Sequence, residues 1–176
     1  MRTRRRTLPG ARRTKPGTGW RKVGPRRRRK LGARRRKKLG KRLADAVLGA
    51  DVLGVVGLLA AGADPNAATP DGSTPLYLAS VQGLPPVVRL LLAAGASPDT
   101  ESGRGDEGLP LTGAAAWGHT EVVRLLLAYG ADPGRREDSG TGATALEWAV
   151  RGDHRETVEL LRAATEAGRP DRSPCS

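Results

Sequence analysis

One phrase occurs three times along the chain and sets its fold. It reads Leu-Leu-Ala-Ala-Gly-Ala-Asp-Pro at residues 58–65 and returns with small changes at residues 91–98 and 126–133. The glycine at its centre recurs after 33 and then 35 residues. A fixed period of this length is typical of stacked repeat proteins, whose neighbouring units jointly bury one elongated core. The sequence therefore predicts a repeat array that binds something on its surface, before any catalytic residue is considered.

The charges divide the chain into two parts. Residues 1–42 hold 21 Lys and Arg and no acid, whereas residues 43–176 hold 10 Arg and all 18 acids. The net charges of +21 and −8 together give the +13 of the whole chain. The first part has too little apolar surface to offset the conformational entropy lost on folding, and its charges repel one another. We expect residues 1–42 to be a disordered Arg/Lys-rich arm.

The single cysteine, Cys175, allows no disulfide within this chain and no cysteine metal cluster. A reducing compartment suits such a chain, so we expect the protein in the cytoplasm, or in the nucleus if its source is eukaryotic. No stretch approaches the roughly 18 continuous apolar residues of a membrane helix. No apolar segment follows the arginines at residues 4–6, as a secretion signal would require. We therefore expect neither a membrane partner nor export by a standard signal.

After the charge boundary the sequence predicts a capping pair of short helices and then three longer units. Each unit has a Gly-Ala-x-Pro turn, a polar excursion, a short Ala/Leu-rich helix, a glycine break and a longer helix. In the longer helices the apolar residues recur at i, i+3 and i+4, which gives one buried stripe. The predicted segments are the capping pair at 43–61, the units at 62–94, 95–129 and 130–164, and a disordered tail at 165–176.

Three stretches of the chain resemble the consensus of the ankyrin repeat family. Residues 72–77 follow its Gly-x-Thr-Pro-Leu-His pattern, residues 114–123 its Ala-Ala-x-x-Gly-His-x-Glu pattern, and residues 62–66 its Gly-Ala-Asp-Pro-Asn turn. The resemblance spans residues 43–164. It implies an all-α ankyrin repeat solenoid of stacked helix pairs with short hairpin fingers, here preceded by the basic arm. It also implies a non-enzymatic module that binds another protein through its concave face and fingers.

Two histidines and a glycine-rich string are better explained by structural roles than by binding of a metal or a dinucleotide. His119 and His154 occupy the Gly-His turn, where the resemblance implies that the imidazole bonds nearby backbone; with no carboxylate or cysteine at ligand spacing they make a weak metal site. Residues 103–108 fit a dinucleotide-binding string, but they lack a preceding buried strand, and Asp106 and Glu107 would repel a pyrophosphate. We predict hairpin tips here, and no catalytic, metal or cofactor site.

Aromatic residues are scarce, and exposed ones are favoured as binding anchors. The resemblance places Trp117 at a solvent-facing position of an inner helix and Tyr129 just before a turn glycine, so that both line the concave face. Packing on a neighbouring helix is an equal alternative for Trp117. Trp148 aligns with Leu78 and is predicted to be core. The predicted partner-binding residues are Trp117, Tyr129, Val81, Gln82, Ala116 and Arg151, with Asp71, Arg104, Asp106, Glu107, Arg135 and Arg136 at the finger tips.

The basic arm has three interpretations. A polycation binds phosphate backbones without regard to sequence, and with Trp20 as its sole aromatic the arm has little capacity for base stacking. Alternatively the arm is a targeting segment, or it results from a start codon assigned too early and is not made. In the nucleic-acid interpretation the contacts come from Arg26, Arg27, Arg28, Arg29, Lys30, Arg34, Arg35, Arg36, Lys37 and Lys38. We expect a monomer whose main partner is another protein, with nucleic acid as the alternative.

Overall fold

The computed structural model describes residues 32–103 and 108–167. Within these residues the chain forms eight α-helices and one 3-10 turn at Asp138–Gly140, with no strand beyond two isolated bridges. The helices are α1 (Ala33–Leu48), α2 (Val52–Ala60), α3 (Pro75–Val81), α4 (Pro85–Ala93), α5 (Pro110–Ala116), α6 (Thr120–Ala128), α7 (Ala145–Arg151) and α8 (Arg155–Ala167). In this part of the chain no helix combines the length and the apolar character needed to span a lipid bilayer.

The helices form four antiparallel pairs that stack in a row. The inner helices α1, α3, α5 and α7 contact one another in that order, and so do the outer helices α2, α4, α6 and α8. The hairpin fingers are numbered by the inner helix that each precedes: the first before α3, the second before α5 and the third before α7. Two bridges, Ser102 with Gly108 and Arg136 with Thr144, lie at the bases of the second and third fingers. One continuous core runs through the row and includes Val47, Val55, Leu76, Leu91, Leu111, Leu126, Ala149 and Leu161. The predicted all-α solenoid with fingers is confirmed.

Helix α1 begins at Ala33, ahead of the predicted boundary at residue 43. Arg and Lys are good helix formers, and Leu39, Leu43 and Val47 recur at intervals of four residues to form a buried stripe. Residues 33–42 are therefore helical rather than part of a disordered arm, because the apolar stripe of α1 starts inside the basic segment. The rest of the predicted arm, residues 1–31, lies outside the described residues.

Helix α8 continues past residue 164, where the sequence predicts the tail to begin. It ends at Ala167, and the Thr165 hydroxyl donates to the carbonyl of Leu161 at 2.8 Å. Leu161 is fully buried, so packing of α8 on α6 supports the helix close to its end. Residues 168–176 lie outside the described part of the chain.

Side-chain caps start two of the inner helices. The Thr74 hydroxyl accepts a hydrogen bond from the Tyr77 N–H at 3.2 Å, ahead of Pro75 at the first helical position, as the sequence predicts for a capped helix. At α7 the Thr144 hydroxyl accepts from the Glu147 N–H at 3.2 Å, and the Glu147 carboxylate accepts from the Thr144 N–H at 3.0 Å. This reciprocal capping box satisfies two backbone donors at the helix end.

Neighbouring units are also tied by side chains that bond the backbone of the adjacent unit. The Asn66 amide oxygen accepts from the Ser97 N–H at 2.8 Å, and one unit later the Asp99 carboxylate accepts from the Asp132 N–H at 3.1 Å. In the last unit the equivalent position is Gly134, which has no side chain to continue the series. The ties therefore link each unit to the next and stop at the C-terminal one.

Candidate functional site: a cleft on the inner helices

A cleft of about 710 Å³ opens on the inner-helix face of the array. Helix α5 and its C-cap residue provide the floor of the cleft, through Thr112, Gly113, Ala116 and Trp117. The remaining lining comes from Tyr77 on α3, from Trp148, Arg151 and Gly152 at α7, and from Gly108, Glu137 and Asp138 on the fingers. The cleft is thus assembled from three successive units, none of which contains it alone.

A glycine in α5 leaves room for the cleft. Leu78, Gly113 and Trp148 occupy equivalent positions of successive inner helices, 35 residues apart. A Cβ atom added at Gly113 would lie 2.8 Å from Cγ2 of Val81 and 3.1 Å from Cε2 of Tyr77. The missing side chain therefore lets Tyr77 pack across α5 and keeps the space between Tyr77 and Trp148 open.

Trp148 is a wall of this cleft, so the prediction that it belongs to the core is wrong. Its side chain is half-buried, and its indole Nε1–H donates to the Glu137 carboxylate at 2.7 Å. The guanidinium carbon of Arg151 lies 5.0 Å from the centre of the ring, within cation–π range. An indole N–H requires a hydrogen-bond partner, and the finger supplies that partner at the surface.

The finger before α7 is fixed against its neighbours at the cleft rim. Gly108 has φ +91°, and an added Cβ there would collide with the Glu137 carboxylate, so Glu137 is held between the second finger and Trp148. The next two residues, Asp138 and Ser139, have φ of 49° and 55°, a region that non-glycine residues seldom occupy. The Ser139 N–H donates to the Glu101 carboxylate at 3.3 Å, which braces this strained tip.

The structure separates the two predicted anchors. Trp117 is 64% exposed and lines the cleft at the end of α5, so it does not pack into a neighbouring helix. Tyr129 is 45% exposed and is the C-cap of the outer helix α6. Because α5 and α6 are antiparallel, their last residues lie at opposite ends of the pair. Tyr129 is therefore an exposed aromatic outside the cleft.

The other predicted inner-helix residues divide in the same way. Ala116 and Arg151 line the cleft. Val81 is half-buried and packs beside Gly113, below the cleft surface. The Gln82 amide donates to the Leu78 carbonyl at 3.2 Å and lies 3.5 Å from the Val47 carbonyl, which ties α3 to α1. Gln82 therefore contributes to the stacking of the first two pairs.

The finger charges mostly stabilise the fingers themselves. The Asp71 carboxylate accepts from the Ser73 hydroxyl at 2.8 Å. Arg136 donates to the Gly142 carbonyl at 2.8 Å and pairs with Glu147 at 3.0 Å, which holds the third finger on α7. Arg135 is exposed beside it. The remaining predicted finger residues, Arg104, Asp106 and Glu107, lie outside the described residues.

Both histidines bond backbone, as the ankyrin resemblance implies. Nε2 of His119 lies 3.0 Å from the Val81 carbonyl oxygen, and Nε2 of His154 lies 3.0 Å from that of Ala116. Among residues 32–103 and 108–167, no three His, Cys, Asp or Glu side chains are grouped as metal ligands. These imidazoles therefore serve the stacking of the pairs.

Some of the residues predicted to contact nucleic acid lie in the described part of the chain, and the others lie outside it. Those at 34–38 lie on α1 and are exposed there, together with Lys41 and Arg42. Those at 26–30 lie outside the described residues. Within the described residues, the basic segment belongs to helix α1, whose C-terminal half is packed into the array.

The family comparison agrees with this architecture. A family model described as ankyrin repeats in three copies matches residues 43–137 and 106–171. These matches cover most of the chain, which therefore belongs to the ankyrin repeat family. No curated protein matches the chain. Repeats of this family generally act as protein–protein interaction modules and are typically non-enzymatic.

Proposed function

We propose that this ankyrin repeat protein is a non-enzymatic binding module that docks a segment of a partner protein in the cleft on α5. One observation carries the proposal: Tyr77, Trp117 and Trp148, from three successive inner helices, line the same cleft. They are three of only five aromatic residues in the chain. Aromatic side chains in pockets supply much of the binding energy of protein interfaces, because each covers a large area at a low cost in entropy.

The cleft walls are held in place before a partner arrives. The hydrogen bond to Glu137 fixes Trp148, and contact with α5 at Gly113 positions Tyr77. Binding to a preorganised surface loses less conformational entropy than binding to a mobile one. Trp117 is the exception, since more than half of its surface faces solvent. We therefore assign Trp117 as the residue that a partner covers.

The charges at the rim of the cleft would orient a bound partner rather than attract it from a distance. Asp138 is exposed at the rim, and Arg151 lies over the Trp148 ring. Opposite charges at separate points of a rim fix the register of a bound segment but contribute little net affinity. Apolar contact with the three rings would then supply most of the affinity.

The test compares two exposed aromatic residues. Partner proteins are captured from a lysate of the source cells with the full chain, with Trp117→Ala and with the matched control Tyr129→Ala, and quantified by mass spectrometry. We expect specific partners to be lost with Trp117→Ala, by about tenfold or more, as for a central aromatic anchor. They should persist with Tyr129→Ala, because Tyr129 lies outside the cleft.

Two results would contradict the proposal. Capture that is unchanged by Trp117→Ala removes the cleft as the docking site. Capture that depends on Tyr129 alone moves the site to the other end of the α5–α6 pair. A thermal melt of each variant accompanies the capture, and both substitutions should leave the melting temperature nearly unchanged because both side chains are exposed.

A second candidate function, non-specific nucleic-acid binding by the basic N-terminal residues, is favoured by one observation. Seven cations at residues 34–38, 41 and 42 are exposed on the folded helix α1, and none of them forms an ion pair with an acid of the described residues. Binding of the full chain to a DNA duplex over a salt series tests it. A steep fall in affinity with rising salt is expected, and absence of binding at low salt would remove this candidate.

A further inference from the structure

Five of the exposed cations of α1 share one face of the helix. Their spacing of i, i+1, i+4, i+7 and i+8 places them on one side, opposite the buried stripe of Leu39, Leu43 and Val47. We call them the cation stripe: Arg34, Arg35, Lys38, Lys41 and Arg42. At about 1.5 Å per residue the stripe runs for roughly 12 Å along a rigid support.

The N-terminal turns of α1 contradict the usual rules of helix stability. Gly32 provides no side-chain cap, and the first turn contains no acid. It holds Arg34, Arg35 and Arg36 instead, at the positive end of the helix dipole, where cations are unfavourable. Arg36 precedes Leu39 by one turn on the same side, yet it is exposed, so this end projects past the packed core. Folding of the array does not explain these cations, whereas a bound polyanion would offset their repulsion.

The surroundings of the stripe distinguish among polyanions. A helix that lies on a membrane buries an apolar face in the lipid, but here that face, formed by Leu39, Leu43 and Val47, is already buried in the array. Single-stranded nucleic acid is held by stacking on aromatic rings, and neither α1 nor α2 contains an aromatic residue. A duplex presents one phosphate charge per about 1.7 Å of its axis and needs no stacking partner. The duplex backbone is the polyanion that fits.

We propose that the cation stripe of α1 docks on the phosphate backbone of duplex nucleic acid, without regard to base sequence. The proposal rests on the second candidate function and assigns its contact to a folded surface. It also predicts that the duplex stabilises the N-terminal turns of α1, because the bound phosphates relieve the repulsion there.

The experiment compares two full-length variants that each lose five cations. The stripe variant is Arg34→Gln, Arg35→Gln, Lys38→Gln, Lys41→Gln and Arg42→Gln, and the matched control is Arg26→Gln, Arg27→Gln, Arg28→Gln, Arg29→Gln and Lys30→Gln. Binding to a DNA duplex of mixed sequence is measured over a salt series. We expect the stripe variant to lose affinity at least about tenfold more than the control, with a log–log salt slope shallower by about 4.

The outcomes distinguish binding through the cation stripe from nucleic-acid binding by other basic residues of the chain. Equal losses in both variants, or a larger loss in the control, would overturn the stripe while leaving nucleic-acid binding in place. No binding by the unchanged protein would remove both. Equal or tighter binding to anionic phospholipid vesicles than to the duplex would also overturn the proposal, in favour of a membrane surface.

A second measurement uses the unchanged protein and does not depend on how the variants fold. Backbone hydrogen exchange is followed at residues 33–42 with and without the duplex. Slower exchange in these turns on duplex binding supports the stripe, because fraying of α1 is then suppressed. Unchanged exchange in the presence of saturating duplex contradicts it. The control region is α8, the helix at the other end of the array, where no change in exchange is expected.

Discussion

Nε2 of His119 lies 3.0 Å from the carbonyl oxygen of Val81, which is 38 residues earlier and one helix pair back. A carbonyl oxygen only accepts, so Nε2 is the ring nitrogen that carries the hydrogen. The contact falls at the end of α3, where helix carbonyls lack partners within the helix. His154 repeats it with Ala116 at 3.0 Å. Each imidazole thus connects its own pair to the end of the preceding inner helix.

Replacing His119 by Ala should destabilise the array by about 1 to 2 kcal/mol, since the half-buried Val81 carbonyl loses its donor. The measurement is chemical denaturation followed by circular dichroism. His154→Ala is the comparison, and it should loosen mainly the last pair because α7 and α8 have no further unit behind them among the described residues. Unchanged stability of His119→Ala would show that water replaces the imidazole without cost.

Two glycine-to-alanine substitutions within helices should have opposite effects on stability. At Gly57 in α2 an added Cβ meets no atom within 4 Å, so Ala should raise stability by about 0.5 to 1 kcal/mol through helix propensity. At Gly113 the added Cβ would lie 2.8 Å from Val81, so Ala should lower stability by about 1 kcal/mol or more through overpacking. Thermal melts of the two variants provide the check. A stabilising Gly113→Ala would mean that Tyr77 and Val81 move aside freely.

The hydrogen bond of 2.7 Å between the Trp148 indole and the Glu137 carboxylate should couple the third finger to α7. A double-mutant cycle with Trp148→Phe and Glu137→Ala, each of which removes one partner of the bond, should give a coupling energy of about 1 kcal/mol. If the cleft binds a partner, Trp148→Phe should also weaken that binding, because the ring loses its fixed orientation. Additive effects of the two substitutions on stability would show that the bond does not hold the finger.

The carboxylate of Glu147 should make stability depend on acid pH. The Thr144 N–H, and to a lesser degree Arg136, hold the pKa of Glu147 below its ordinary value of 4.5. A lowered folded-state pKa means that the contribution is present above pH 4.5 and is lost as the pH falls through the folded-state value. Glu147→Gln keeps the oxygen acceptor and removes the charge. Melting temperatures of the two proteins should therefore differ at neutral pH and converge in acid, whereas a constant gap would contradict this origin.

The period of the repeated phrase predicts most of the fold. The prediction fails in the basic segment, where α1 begins. The pattern of paired Val and Leu predicts the outer helices, and Thr74 with Pro75 predicts the start of α3. The start of α1 is missed because a run of cations indicates disorder by composition, while its helix depends on packing of Leu39 against distant residues. Local composition does not contain that contact.

The site is only partly accessible from the sequence. Trp117, Ala116 and Arg151 line one cleft, which their repeated positions in the inner helices indicate, while their role in binding a partner stays a prediction. Trp148 is misassigned since the alignment with Leu78 predicts a core position but not the absence of a side chain at Gly113. The signal was present, as Gly113 stands where the other two units carry large apolar residues, but its effect appears once the helices are side by side.

The backbone ties between units have a consequence for how this array grows. Asn66 and Asp99 each hold an N–H of the following unit, and each imidazole reaches back to the preceding one. Duplicating a middle unit would copy donor and acceptor together, so lengthening from within needs no new chemistry. A unit added after the last would lie next to Gly134, which has no side chain to accept a hydrogen bond from it. Growth by internal duplication is therefore easier than growth at this end.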